Sequence, residues 1–107
     1  VSNHGGRVLD FTPATSEVLP GIAEEVGGKC SILIDGGIRS GADVFKILAL
    51  GADAILIGRP FSIAAIGAGS SGVYNEFEKI KAELHHTMLM TGVSKLSEIT
   101  DDSLVTD

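Results

Sequence analysis

The sequence has no tryptophan, a single tyrosine, three prolines and one cysteine among its 107 residues. One thiol excludes an intramolecular disulfide and suits a reducing, cytoplasmic setting. Cys30 is expected to be a small buried residue at the start of a strand. Long apolar runs are also missing. The longest candidate, Ala52 to Ile66, is broken by Gly58, Arg59 and Pro60, short of the roughly 18 residues that a bilayer span needs. The opening Val-Ser-Asn-His-Gly-Gly-Arg has no apolar core of a signal peptide. Positive charge is scarce, with 8 Lys and Arg against 14 Asp and Glu, a net charge of -6. A nucleic-acid binder usually carries a basic stripe, so that class is set aside. One phosphate group remains possible, because it needs only a local cluster of donors.

What is present is a globular composition, 44% hydrophobic and 21% charged. Val1 to Asn3 reads as the tail of a strand. Thr12 to Ser16 reads as a turn into a helix in which Val18, Leu19, Ile22, Ala23 and Val26 recur at helical spacing. Pro20 is expected near its first turn, and Gly27-Gly28 stops it. The run Ile32-Leu33-Ile34 within Cys30 to Asp35 suits a strand covered on both faces. Ser40, with Asp43 three residues on, can cap a helix with Val44, Ile47, Leu48 and Leu50 on its buried stripe. Gly51 ends it. Ala54 to Ile57 is a second such strand. A short helix from Pro60 to about Ile66, a loop from Gly67 to Gly72 and a long helix with Val73, Phe77, Ile80, Leu84 and Met88 on one face follow. A short helix around Leu96 to Ile99 precedes an acidic end, 100–107, expected to fray.

Alternating strands and helices predict right-handed βαβ units on a parallel sheet, an α/β fold. Ligands bind at the C-terminal ends of such strands, in a (β/α)8 barrel or a doubly wound sheet. Two complete strands cannot close a barrel, and they leave two edges and one face open. The first motif starts at residue 1. Together these features predict one domain, 1–107, that is part of a longer chain.

The candidate chemistry gathers at strand ends. In Ser2-Asn3-His4-Gly5-Gly6-Arg7, a histidine on a strand-end loop suits general-base work near neutrality. Arg7 presents a planar fork that matches a carboxylate. In Asp35-Gly36-Gly37-Ile38-Arg39-Ser40-Gly41, glycines free backbone N–H groups for an anion, Arg39 adds charge and the following helix adds its dipole. Asp35 can accept hydrogen bonds from sugar-like hydroxyls. Gly58-Arg59 repeats the arrangement one βα unit later, as in barrels that hold phosphate between their last two strand-end loops. The plainer readings are a histidine bonded to backbone, a surface arginine and a capped βα turn. Two such loops in succession favour phosphate.

Other features carry less. Gly67-Ala68-Gly69-Ser70-Ser71-Gly72 fits G-x-G-x-x-G literally but lacks the preceding strand and the acidic residue about 20 positions later. His85 and His86 diverge by about 100° on a helix and cannot share a metal; no metal site is expected. Glu76, Glu78, Lys79, Lys81 and Glu83 read as a solvated helix face.

Read together, Ser2-Asn3-His4-Gly5-Gly6-Arg7-x-Leu9-Asp10, Thr12-Pro13-Ala14, Asp35-Gly36-Gly37-Ile38-Arg39-x-Gly41-x-Asp43-Val44-x-Lys46-x-Leu48-Ala49-Leu50-Gly51-Ala52 and Gly58-Arg59-Pro60 closely resemble the FMN-dependent 2-hydroxy-acid dehydrogenases and oxidases, such as glycolate oxidase and lactate oxidase. The resemblance runs from Val1 to about Ile99. It implies a TIM (β/α)8 barrel, of which this chain holds the end of strand six and strands seven and eight with their helices. It implies FMN as cofactor and an L-2-hydroxy acid such as lactate or glycolate as substrate, oxidised to a 2-oxo acid. His4 is then the catalytic base, and Arg7 binds the substrate carboxylate. Ser2 lies beside the flavin, while Asp35, Gly36, Gly37, Ile38, Arg39, Gly58 and Arg59 hold the ribityl and phosphate of FMN. The family's early flavin-contacting strands, the lysine near flavin N1, the substrate tyrosines and the aspartate that orients the histidine all fall before Val1. The alternatives are another FMN- or phosphate-binding barrel, akin to the isopentenyl-diphosphate isomerase that uses reduced FMN or to an IMP dehydrogenase, and a non-catalytic half-barrel that self-associates. The isolated chain is expected to be inactive and a homo-oligomer or unstable.

Overall fold

The computed structural model describes residues 1–105. Its elements in chain order are α1 (Thr15–Val26), β1 (Leu33–Ile34), α2 (Gly41–Ala49), β2 (Ala54–Ile55) and α3 (Arg59–Thr91), with single 3-10 turns at His4–Gly6, Leu96–Glu98 and Asp101–Ser103. β1 and β2 pair in parallel, Leu33 opposite Ala54 and Ile34 opposite Ile55. Val1 extends this pattern on the other side of β1. Its amino group donates to Leu33 O, and Asp35 N donates to Val1 O at 3.1 Å. Three parallel strand pieces therefore lie side by side, as the unalternating apolar runs suggest.

One face of these strands is clad and the other is bare. Ile32 and Ile34 are buried together with Leu19 of α1, Val44 and Ile47 of α2, and Ile80 of α3. Leu33 and Leu56 point the other way and stay 47% and 54% exposed. A second cluster gathers Phe45, Ala49, Met88 and Ile99, which fastens the segment after α3 onto α2.

Several local expectations change. The strands are shorter than their apolar runs, two residues each. α1 begins at Thr15, which places Pro20 inside the helix rather than in its first turn. Cys30 is exposed, because it lies in the turn ahead of β1 and not in the strand. Phe77 is 57% exposed although its stripe partners Ile80 and Met88 are buried. The expected loop at 67–72 is instead a break inside α3, confined to Ala68 and Gly69, where the backbone leaves the helical region. Gly69 takes φ 58° there, and a Cβ on Gly72 would come within 2.2 Å of Ala64 O. The glycines of that stretch thus serve a helix kink. No helix among the described residues is long and apolar enough to cross a membrane. Thr106 and Asp107, the last residues of the expected frayed end, lie outside the described residues.

Candidate active site at the strand ends

The three strand-end loops converge. A hollow of about 200 Å³ is lined by His4, Gly5 and Arg7 from the first, Asp35 to Arg39 from the second, and Leu56 to Arg59 from the third. Three guanidinium groups and one carboxylate surround it, a cationic spot on a chain of net charge -6. Every residue singled out for base, carboxylate or phosphate duty lines this hollow. Ser2 stands just outside its lining, and its Oγ accepts the His4 N–H at 3.2 Å. Arg59 also borders a wider groove of about 670 Å³ that runs past Asn3, Phe11 and Thr12 to Lys46 and Leu50.

The His4 loop is shaped by its own residues. Backbone φ is positive at three successive positions, 54° at His4, 66° at Gly5 and 74° at Gly6. Glycine adopts this region freely, whereas a histidine there is uncommon and strained. Asn3 holds the turn, its Oδ1 accepting from Gly5 N at 3.0 Å and its Nδ2 donating to Pro13 O at 3.3 Å. A Cβ on Gly5 would lie 3.3 Å from Nη2 of Arg59, so the bare backbone lets the arginine of the third loop lie against the first.

The second loop is pinned at both ends. Thr15, the one buried polar residue among the described residues, donates from Oγ1 to Asp35 O at 2.7 Å. Directly beside it, Gly36 has φ 103°, and a Cβ there would come within 2.9 Å of that hydroxyl. Ser40 caps α2 by accepting Asp43 N at 3.1 Å, and Asp43 Oδ2 accepts Arg39 N, Ser40 N and Ser40 Oγ. Burial pushes the Asp43 carboxyl pKa up. The hydrogen bonds from Arg39 and Ser40 and the Lys46 charge outweigh it and hold the group below the ordinary carboxylate range. Glu83, far along α3, accepts Gly41 N at 2.8 Å.

At the head of α2, Arg39 N and Ser40 N donate to Asp43, Gly41 N to Glu83 and Asp43 N to Ser40 Oγ, so these amides are not offered to an anion. Around the hollow, the amides of Gly36, Gly37, Ile38 and Gly58 are among those that make no intramolecular hydrogen bond with the described residues. Those donors, with the side chains of Arg39 and Arg59, fit a phosphate monoester. The third loop starts α3 with Gly58 as N-cap, no side-chain cap, and Pro60 in the first turn. Sequence reasoning missed Thr15, seen only as part of a turn, and Glu83, seen as one of a solvated row. The S/T-type N-terminus of α1 hinted at the first, and no sequence signal marked the second.

The family model described as FMN-dependent dehydrogenase matches residues 1–106. An L-lactate dehydrogenase of Pseudomonas paraeruginosa is 49% identical over 105 residues, which is 98% of this chain and 28% of that protein. The chain therefore spans less than a third of the length of the curated relatives it matches. Among solved structures, a mandelate oxidase variant with a monooxide FMN adduct superposes with a TM-score of 0.88 at 45% identity, covering 91% of this chain and 31% of the other. A variant flavocytochrome b2 with pyruvate bound superposes with a TM-score of 0.91 at 38% identity, over 95% of this chain and 27% of the other.

Proposed function

Since the chain belongs to the FMN-dependent dehydrogenase family, we propose that it supplies the phosphate grip and the proton-accepting histidine of an enzyme that oxidises an L-2-hydroxy acid to its 2-oxo acid. The carrying observation is the shared hollow, in which His4 and Arg7 stand beside Arg39 and Arg59. The bonds from Val1 to β1 and the one bare strand face support reading the segment as the end of strand six followed by strands seven and eight of a (β/α)8 barrel.

Within this reading each residue has a task. Arg39, Arg59 and the amides of Gly36 to Ile38 and Gly58 bind the FMN phosphate, and Asp35 accepts from the ribityl hydroxyls. Arg7 clamps the substrate carboxylate through its planar fork, which sets the hydroxyl-bearing carbon beside His4. His4 then takes a proton from the substrate. Bound FMN would accept the two electrons and the second proton that the substrate loses. Ser2 bonds the His4 backbone and helps to aim the imidazole.

The intact protein tests the proposal directly. It is expected to bind FMN, to be yellow, and to bleach when L-lactate or glycolate is added without oxygen. A protein that binds no FMN, or whose flavin no L-2-hydroxy acid reduces, would refute the assignment.

A further inference from the structure

Glu83 stands apart from the other charged residues of α3. Lys79 pairs with Glu76 at 3.4 Å and Lys81 with Glu78 at 3.1 Å, exposed helix pairs of the kind that contribute little. Glu83 has only a long contact with Lys79, 3.9 Å. Its Oε2 instead reaches α2 and accepts the Gly41 N–H at 2.8 Å, across 42 residues of sequence. At this point the two helices approach without side chains between them. A Cβ on Gly41 would come within 2.1 Å of Leu84 N and 2.4 Å of Ile80 O. Glu83 therefore bonds a backbone donor where α2 and α3 approach main chain to main chain.

Gly41 is also the downstream end of the Asp35–Gly41 corner, two residues after Arg39. The upstream end is held by Thr15 through Asp35 O. The free amides of Gly36 to Ile38 lie between these two fixed points. We propose that Glu83 is a positioning residue for the anion grip: from the body of α3 it fixes the start of α2, and so the placement of Arg39 and the three amides before it. A carboxylate on a backbone N–H is a short, directional, charge-assisted bond. Without it, the corner keeps its local Ser40–Asp43 cap and its packing on α3 but loses its hydrogen bond to that helix. The inference rests on the reading that this hollow takes the FMN phosphate.

The test uses the intact protein, Glu83→Met, which keeps the length and helix preference of the side chain, and Glu83→Gln, which keeps an acceptor oxygen. The FMN dissociation constant of Glu83→Met is expected to rise roughly tenfold, as for one lost charge-assisted bond. The KM for L-lactate at saturating FMN should stay within about twofold, and Glu83→Gln should restore most of the affinity. Arg39→Ala runs in parallel. If Arg39→Ala leaves FMN affinity unchanged, the phosphate reading itself fails. If Arg39→Ala weakens FMN binding but Glu83→Met does not, the brace alone is overturned. A lower melting temperature in Glu83→Met with unchanged FMN affinity also overturns it, as does a Gln variant no better than Met. Glu83→Ala carries the same readout should the Met variant fold poorly.

Discussion

Two loops face the same hollow and are held in opposite ways. The Asp35–Gly41 corner is pinned from afar, by Thr15 of α1 and Glu83 of α3, 20 and 42 residues away in sequence. The Ser2–Arg7 loop is held almost wholly by its own residues, through His4 N to Ser2 Oγ, Gly5 N to Asn3 Oδ1 and Gly6 N to Asn3 O. A segment held by short-range bonds opens at lower cost than one tied to two packed helices. On the assignment proposed above, the corner that would grip the cofactor is tied to two helices, whereas the loop that would meet the substrate is tied mainly to itself.

The largest effect that separates the two loops is expected at His4. In the intact protein His4→Ala should slow flavin reduction by L-lactate by roughly 10²–10⁴-fold, the usual loss of a general base, with FMN affinity unchanged. Stopped-flow absorbance and FMN titration read both quantities. Loss of FMN together with activity would mean that the loops are not independent. Next comes Thr15→Val, which leaves the Asp35 carbonyl without its buried donor and should cost about 1–3 kcal/mol in a denaturant titration, together with weaker FMN binding. Thr15→Ser should behave as the parent, and equal effects of Val and Ser would place the role in packing rather than in the hydroxyl.

The smallest effect tests the local cap. Asp43→Asn should cost about 1 kcal/mol, as helix caps do. Its pH dependence has a defined sign. Because the folded protein holds the Asp43 carboxyl below its ordinary value of 3.8, its contribution is complete above that value and is lost as pH falls through the lowered one. Denaturant midpoints across the acid range should therefore fall more steeply in the parent than in Asp43→Asn. Parallel curves would show that the cap does not depend on the charge.

Much of this arrangement was legible from short-range patterns. The Ser40–Asp43 cap, the Gly51 stop and the grouping of loops at strand ends all follow from residues within one turn or one βα unit of each other. The extents of elements were less so. Cys30 falls outside β1 because strand length depends on ladder partners, and Pro20 sits inside α1 because its helix nucleates one turn early, at Thr15. The break at Ala68–Gly69 looked like a loop because glycine and serine signal both. Glu83 was hidden for a different reason. A glutamate among lysines on a helix looks solvated, and its true partner is a backbone N–H whose approach depends on how α2 crosses α3. That crossing is itself set by the absence of a side chain at Gly41.

Helices usually meet through side chains, whose rotamers act as padding and spread a small displacement over many bonds. At Gly41 main chain meets main chain, with no room for a methyl group against Leu84 N or Ile80 O. A side chain at Gly41 would therefore drive α2 and α3 apart where Glu83 joins them.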